Sequence, residues 1–438
     1  MTWRPGCRGP GPRRHPPPHV GHVVVAPDKF KGTLAAPRVA FHVAAGLRRA
    51  CPDVVVVTLP VADGGDGTVD SAVAAGYRRV RATVQGPTGE PIRASFAIRG
   101  SAVTTDGNAT TDSDATTGSA GTTHGTGATA DAIIEAAEAC GLRRLPDGVA
   151  VPLTATSHGV GELIVAAIRA GARRIMLGLG GVACTDGGAG LVEALGGRLL
   201  DRAGTPLPPG GSALRELHRL ELARFWTVSG PASPVDVTVA CDVDSPLLGP
   251  DGAAAVYGPQ KGAAPHDVAI LEEGLGRWAE ITEGIIGQRY RDLPGAGAAG
   301  GLGFAALAFL GASMRPGIDV LLERLDFARR IEGARLVITG EGSLDAQTLR
   351  GKAPAGVARA AAAAGVPVVA VAGVATLSKH DLRRSGISAA YSLTGIQPDL
   401  RRCMTDPGPL LEDLAGRLAR DWLCGQAKPA NAGRAGSS

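Results

Sequence analysis

The chain has 438 residues, of which 44% are hydrophobic, and carries a formal net charge of +4. This length and composition can bury a large core and predict a globular protein of two or three domains. The excess positive charge comes from four arginines in the first twenty residues, so the rest of the chain is neutral and no basic surface for nucleic acid is expected.

The first twenty residues, MTWRPGCRGPGPRRHPPPHV, contain arginines and prolines but no apolar core. We therefore expect residues 1–20 to be a disordered tail and not a secretory signal, and we expect a second disordered tail at 426–438. No uninterrupted run of eighteen apolar residues occurs, which argues against a transmembrane helix. These features predict a cytoplasmic protein that does not bind membranes.

The cysteines are scattered along the chain and contain no C-x-x-C pair. This pattern predicts buried thiols in a reducing compartment and argues against a disulfide framework or a zinc site. The seven positions are 7, 51, 140, 184, 241, 403 and 424.

The first globular segment predicts a βαβ unit. A strand at His22–Ala26 leads into the loop PDKFKGT, then into a helix at Leu34–Ala50 with Thr33 as its N-cap, and a second strand, VVVVTLP, ends in the turn VADGGDGT. Both polar loops follow the carboxyl ends of strands, where open α/β sheets bind ligands.

The pattern changes at Tyr77, where RRVRATVQG and PIRASFAIRG alternate in polarity around PTGE and predict an antiparallel hairpin. Residues 101–130 contain ten threonines and almost no large apolar side chain, which predicts a flexible surface insertion. Further elements are expected as helices at Gly159–Ala170 and Asp267–Ile286 and strands at Arg174–Leu177 and Val235–Ala240.

The C-terminal third returns to alternating strands and helices. RLVITG, VPVVAVAG and AAYSLT read as strands, PAGVARAAAAA reads as a helix, and a last helix is expected near Leu410–Trp422. The fold class predicted from the pattern is therefore α/β.

The loop GLGGVACTDGGAG allows two interpretations. Gly178, Gly180 and Ala183 have the spacing of a dinucleotide-binding fingerprint, and Asp201 lies where its ribose-binding acid would be, so an NAD-dependent dehydrogenase is one alternative. Against it, several glycines would occupy the first helical turns at a cost of about 1 kcal/mol each.

A helix that starts only after Asp186 would instead leave a long loop with free N–H donors at a helix N-terminus. Such a loop is suited to a phosphate or a carboxylate. Cys184 lies in this loop and is interpreted as a packed small residue.

Charged residues follow other predicted strands. Asp63 and Asp66 flank a tight turn and could hold a hydrated Mg²⁺ beside phosphates, or Asp63 could form an ordinary Asx turn. Glu341 and Asp345 are four residues apart and could share one helical face around a cation, or simply lie in a solvated first turn. Lys31, in PDKFKGT, could bind a carboxylate or a phosphate, although a solvated loop lysine is the commoner case.

Taken in order, these motifs resemble the type 1 glycerate kinase family over roughly residues 22–425. The matching stretches are VVVAPDKFKGTL, PVADGGDGT, TSHGVGELI, GLGGVACTDGGAG, CDVDSPLLGPDGAAAVYGPQKGA, PGAGAAGGLGFA and VITGEGSLDAQTLRGK. The resemblance implies a Rossmann-like three-layer domain, at 21–76 and about 290–425, interrupted by an inserted α/β domain at about 77–289. The active site is expected in the cleft between them.

The resemblance also implies ATP and Mg²⁺ as cofactors, D-glycerate as the substrate and 2-phospho-D-glycerate as the usual product. A kinase for another small hydroxy acid, or a homologue that has lost catalysis, remain alternatives. Whether the protein is a monomer or a homodimer stays open.

The residues assigned by position divide into three roles. Asp186 is expected to be the base that accepts the hydroxyl proton, followed by Asp345, with Lys31 binding the substrate carboxylate or a phosphate. The candidate Mg²⁺ ligands are Asp63, Asp66 and Glu341. Substrate or phosphate binding is expected at Asp28, Ser157, Gly180, Gly181, Gly187, Gly188, Lys261, Gly340, Gly342 and Lys352.

The chain departs from the family pattern in three places. The usual GGSATNDGG is GGVACTDGG here, so Val182, Cys184 and Thr185 replace Ser, Thr and Asn. Asp66 stands where Glu is usual, and the family's EMAAASGL is EAAEACGL at Glu135–Leu142. These changes bear on the affinity for the substrate more than on the fold.

Overall fold

A computed structural model describes residues 21–100, 129–223, 225 and 235–424. The predicted tails, and residues 101–128 of the predicted insertion, lie outside these described residues. Ala130 is described, and it begins a buried strand instead of belonging to a surface insertion. The insertion predicted for 101–130 therefore extends too far at its C-terminal end.

The elements of the first segment follow the βαβ prediction. They are β1 (Val23–Pro27), α1 (Ala36–Ala50), β2 (Val56–Thr58) and α2 (Thr68–Ala74). The predicted cap at Thr33 is wrong, because α1 begins two residues later than expected and Ala35 is its N-cap. The Thr33 hydroxyl instead donates to the carbonyl of Phe30 at 2.9 Å and closes the loop before the helix.

The middle of the chain forms a second set of elements. They are β3 (Arg78–Gln85), β4 (Pro91–Arg99), β5 (Ala130–Glu135), α3 (Ala136–Cys140), α4 (His158–Arg169), β6 (Ala172–Gly178), α5 (Ala189–Ala194), β7 (Arg198–Leu200), β8 (Arg219–Glu221), β9 (Asp236–Ala240), α6 (Ala253–Tyr257), α7 (Pro265–Ile286), α8 (Ala298–Leu310) and β10 (Ser313–Arg315).

The last segment returns to alternating helices and strands. Its elements are α9 (Gly317–Arg324), α10 (Phe327–Arg330), β11 (Leu336–Leu344), α11 (Ala353–Ala363), β12 (Val368–Ala375), α12 (Lys379–Arg384), β13 (Ala389–Ser392), α13 (Leu400–Thr405) and α14 (Pro407–Trp422).

The first sheet is wholly parallel and has the strand order β13-β12-β11-β1-β2. All five residues of β1 are buried, as expected for a parallel strand covered by helices on both faces. One face packs against α1 and α14, and the other packs against α9 and α11. This arrangement is the three-layer, Rossmann-like architecture that the resemblance implies.

The second sheet is mixed and has the order β10-β9-β6-β5-β4-β3. Strands β3 and β4 form the antiparallel hairpin predicted around PTGE, whereas β5, β6, β9 and β10 run parallel. Because β10 pairs with β9 and α8 packs into the core of this sheet, the second region continues to Arg315. The boundary predicted at about 289 is therefore too early.

The two sheets share one hydrophobic core. Val24 and Ala26 of β1 belong to the same buried cluster as Ile133 of β5 and Met176 of β6. The residues next to them in the second sheet, such as Ile134, point to the opposite face and into a separate core. Through the shared cluster the two regions pack directly against each other.

The cysteine prediction needs one correction. Cys51, after α1, and Cys424, after α14, form a disulfide although they are 373 residues apart in sequence. The other described cysteines are free, and Cys140, Cys184 and Cys403 are buried as predicted. In the described part of the chain, none of the helices has the length and apolar character needed to cross a membrane.

Candidate active site

Two glycine-rich loops, one from each sheet, meet backbone to backbone. An added Cβ at Gly178 would lie 2.1 Å from the carbonyl oxygen of Gly64, and one at Gly180 would lie 2.7 Å from the Cα of Gly65. No side chain fits between these loops. The glycines that suggested a nucleotide fingerprint are thus needed, at these positions, for the close approach of two backbones.

Two adjoining pockets open beside this loop contact. The large pocket has a volume of about 970 Å³ and is lined by the loops after β1, β2, β11 and β12, whereas the small pocket has a volume of about 280 Å³ and is lined mainly by the second region. Both pockets share the lining residues Asp63, Gly65, Leu142, Gly180 and Gly181. The cleft predicted between the two regions therefore contains two adjoining pockets that share one wall.

Four carboxylates surround the junction of these pockets. Asp63 lines both, Asp28 and Glu341 line the large pocket, and Asp242 lines the small one. Burial raises the pKa of Asp28 to about 7, and the nearby charges of Asp63 and Glu341 add to this rise. Desolvation likewise raises the pKa of Asp242 to about 6, again with a contribution from Asp63. The cluster is a site of negative charge that favours protons or cations.

Cationic side chains line the same walls. Lys31, Lys352 and Arg143 line the large pocket, and the Nζ of Lys352 lies 3.7 Å from Glu341 Oε2. Lys261 lines the small pocket although it is only 3% exposed, and its Nζ donates to the carbonyl of Cys184 at 2.5 Å. Burial lowers the pKa of Lys261. The pockets therefore combine lysines with carboxylates, as sites for phosphorylated ligands do.

The sequence model of the glycerate kinase family matches residues 23–423. The chain belongs to the glycerate kinase family. It is 42% identical to the glycerate kinase of Bacillus subtilis (strain 168) over 372 residues, covering 85% of this chain and 90% of the relative. It is 38% identical to the glycerate 2-kinase of Escherichia coli (strain K12) over 403 residues, covering 92% of this chain and 95% of the relative.

A crystal structure described as a glycerate kinase 2 from Salmonella typhimurium LT2 has the same fold. It superposes with a TM-score of 0.76 at 36% identity and covers 93% of this chain and 100% of that one. Sequence and fold together identify this member of the glycerate kinase family as a kinase, so the dehydrogenase alternative is wrong.

The predicted site residues of this kinase separate into two groups. Neither pocket is lined by Asp186, Ser157, Gly187, Gly188, Gly340 or Asp345. The remaining predicted residues all line one pocket or both: Asp28, Lys31, Asp63, Asp66, Gly180, Gly181, Lys261, Glu341, Gly342 and Lys352.

Asp186 is buried and only 1% exposed. Its Oδ2 accepts the N–H and the hydroxyl of Ser157, both at 2.8 Å, and the N–H of Gly190 at 3.3 Å, while its Oδ1 accepts the N–H of Gly188 at 3.1 Å. These bonds join the start of α4 to the start of α5. The carboxylate predicted as the base is thus occupied on both oxygens by the protein itself.

Gly187 and Gly188 lie in the same buried corner. Added Cβ atoms there would lie 2.5 Å from the Trp278 side chain and 2.3 Å from that of Ala305. Both glycines also have positive φ angles of 63° and 75°. Their role in the structure is close packing against α7 and α8, away from either pocket.

Glu341 and Asp345 do not share a helical face, because Glu341 lies within β11 and Asp345 follows the end of this strand. The alternative of an ordinary first helical turn is wrong for the same reason. Asp345 accepts the backbone N–H of Gln347 at 2.8 Å, which lowers the pKa of this carboxyl. Gly340 packs within the sheet, where a Cβ would lie 2.2 Å from the Val371 carbonyl oxygen.

Asp66 lines the large pocket but is ion-paired with Arg143, which also contacts Glu138 Oε1 at 2.8 Å. Arg143, Leu142 and Tyr257 are pocket residues that the sequence analysis did not identify. The first two lie in a short 3₁₀ turn at Leu142–Arg144, which carries no motif.

Proposed function

We propose that this kinase phosphorylates D-glycerate with ATP and forms 2-phospho-D-glycerate. The proposal is supported by family membership over residues 23–423 and by the relative named glycerate 2-kinase in Escherichia coli. The observation that carries it is the position of Asp63 in the lining of two adjoining pockets of unequal size. A kinase needs a donor and an acceptor to meet beside charged groups at one such point.

We assign ATP to the large pocket and D-glycerate to the small one. A volume of about 970 Å³ is at the upper end of the range of ligand sites, roughly 300–1,000 Å³, whereas about 280 Å³ suits a three-carbon acid. Lys31 and Lys352 would bind the phosphates in the large pocket. Lys261 and Gln260 of the small pocket would bind the carboxylate of the acceptor.

The residues present fit a magnesium ion. Among the described residues no group of three or more side chains is arranged as a complete metal site. Kinase Mg²⁺, however, is commonly bound by only one or two carboxylates together with substrate phosphates. Asp28, Asp63 and Glu341 would supply these carboxylates. Burial raises the pKa of Asp28 and of Glu341, and neighbouring carboxylates add to the rise, so a cation bound among them would be stabilised. When bound, Mg²⁺ neutralises charge that develops on the transferred phosphoryl group.

The base that accepts the hydroxyl proton is proposed to be Asp242 instead of Asp186. Asp242 lines the small pocket, and its pKa of about 6 leaves it ionised but basic near neutral pH. Its Oδ1 accepts the N–H of Gly317 at 2.9 Å, which fixes the carboxylate while the other oxygen stays available. Asp186 is proposed as a positioning residue for the loop, and Asp66 as the partner that orients Arg143.

The test is coupled ADP release by the purified protein with Mg²⁺, ATP and D-glycerate, followed by ³¹P NMR of the product. L-glycerate, tartronate and lactate serve as controls for the acceptor. D-glycerate-dependent turnover that yields the 2-phosphate supports the proposal. A 3-phosphate would correct the position of transfer, and ATP binding without turnover on any acid would indicate a homologue that has lost catalysis.

One observation keeps a second candidate open, a kinase for another small hydroxy acid. Val182, which departs from the family pattern, lines the small pocket, whereas Cys184 and Thr185 are fully buried behind it. Only Val182 is therefore placed to contact an acceptor. A Val182→Ser variant that improves kcat/KM for D-glycerate at least fivefold, and lowers it for a more apolar acid, would favour this candidate.

A further inference from the structure

The large pocket is lined by charged and by apolar side chains. The carboxylates of Asp28, Asp63 and Glu341, where the phosphates of ATP are assigned, belong to its lining. Its apolar wall contains Leu400 and Met404 of α13, which are 52% and 54% exposed. Exposed apolar side chains that line a pocket offer apolar surface to a ligand.

Leu400 and Met404 are four residues apart in α13, so their side chains project from the same face of the helix. Leu34 and Pro37, at the entry to α1, line the same pocket. Gly373 and Val374 near the end of β12 also line this pocket, and their backbone belongs to the carboxyl edge of the first sheet. Flat ligands bind at this edge in open parallel sheets.

We propose that this apolar wall is the site of the adenine ring, with Leu400 and Met404 packing on one of its sides. The inference rests on the proposed use of ATP and goes beyond it by naming the residues that recognise the base. The adenine ring is the expected occupant because this wall lines the same cavity as the lysines and carboxylates that are assigned to the phosphates of ATP. Methionine and leucine provide the adaptable apolar surface that a purine ring requires.

The test compares ADP with inorganic pyrophosphate, which has the charged part of the ligand but no base. Met404→Asp places a charge against the ring, so ADP affinity and the KM for ATP should worsen at least about tenfold. The affinity for pyrophosphate with Mg²⁺ and the KM for D-glycerate should stay within about twofold of the unsubstituted protein. Calorimetric titration and steady-state kinetics measure these quantities.

Two control variants separate recognition from damage to the fold. Met404→Leu keeps the apolar surface and should change ADP affinity by less than about threefold. Phe41→Asp changes a side chain of similar exposure, 56%, that does not line the pocket, and should leave ADP affinity unchanged. Melting temperatures within a few degrees show that each variant is folded.

The proposal is overturned if Met404→Asp binds ADP normally, or if ADP and pyrophosphate affinities fall together. A Met404→Asp variant that changes only the oligomeric state in sedimentation would show that a second copy covers this wall, and would also overturn it. Failure of the proposed function would give a different result: the unsubstituted protein would show no turnover that depends on D-glycerate. The ADP affinities of the variants would still test whether Leu400 and Met404 contact the adenine ring.

Discussion

The chain contains the tripeptide Asp-Gly-Gly twice near the site, and the two copies have different surroundings. In Asp63-Gly64-Gly65 the carboxylate lies at the junction of the two pockets, and the glycines allow contact with the loop of the second sheet. In Asp186-Gly187-Gly188 the carboxylate is buried and hydrogen-bonded on both oxygens, and the glycines pack against two helices.

The difference shows that local sequence does not distinguish a carboxylate that lines a pocket from one that is hydrogen-bonded within a buried loop. Both copies follow a strand and both lie in glycine-rich loops, so each was a reasonable candidate for chemistry. The two carboxylates differ in their partners. The oxygens of Asp186 accept hydrogen bonds from Ser157, Gly188 and Gly190. The charge of Asp63 instead acts on neighbouring carboxylates and raises the pKa values of Asp28 and Asp242.

The largest effect is expected for Asp63→Asn. Loss of the charge at the pocket junction should lower kcat with ATP and D-glycerate by about a thousandfold or more, because phosphoryl transfer depends on metal and charge positioning. The melting temperature should change by less than about 2 °C, since the hydrogen bond that Asp63 accepts from the N–H of Gly65 is long, at 3.3 Å. Steady-state kinetics and thermal melts measure both. A kcat within tenfold of the unsubstituted enzyme would remove Asp63 from the site.

Asp186→Asn should produce the reverse pattern, a lower free energy of unfolding with a smaller decrease in kcat. The amide nitrogen would face N–H donors where an oxygen now accepts them, which costs about 1–3 kcal/mol in the free energy of unfolding. Denaturant unfolding measures this loss, and kcat per folded molecule should fall less than about tenfold. A stable variant with kcat reduced a hundredfold would restore Asp186 as the base.

The smallest effect is a dependence of stability on pH in the ligand-free protein. The pKa values of Asp28 and Asp242, about 7 and about 6, lie above the ordinary value of 3.8, so the folded state retains protons that the unfolded chain releases. This contribution to stability is complete below about pH 4 and is lost as the pH rises towards 7.

Buried Glu135 and half-buried Glu193, whose pKa values desolvation raises to about 7, contribute in the same direction. The specific test is therefore Asp28→Asn, which should reduce the slope between pH 5 and pH 7, against the exposed control Asp251→Asn, which should not. An unchanged slope in Asp28→Asn would show that Asp28 is solvated and unprotonated at neutral pH.

Much of the fold could be predicted from the sequence because its signals are local. The alternating strands and helices, the hairpin after Tyr77 and the long helix near 265–286 follow from hydrophobic periodicity and turn residues. The motif-bearing loops after β1, β2 and β11 lie together, as expected for strands that end at one edge of a parallel sheet. This reasoning pointed to Asp63, Glu341 and Lys31, and all three line the large pocket.

What could not be predicted depends on contacts between distant parts of the chain. The disulfide joins positions 373 residues apart, and β10 belongs to the second sheet only because it pairs with β9. Arg143 enters the large pocket from a turn without a motif, and its partner Asp66 lies 77 residues away. The buried position of Asp186 likewise depends on Ser157, which lies 29 residues away at the start of α4 and donates two hydrogen bonds to its carboxylate.

The glycine contact between the two loops also sets limits on engineering. Replacing Gly64, Gly178 or Gly180 by any larger residue would force the two sheets apart at the point where donor and acceptor are proposed to meet. A library aimed at new acceptors therefore has freedom at Val182 and Tyr257, whose side chains line the small pocket, and little at the glycines. We therefore expect the range of acceptors to be changed through these two side chains, while the backbone of the two glycine-rich loops stays as it is.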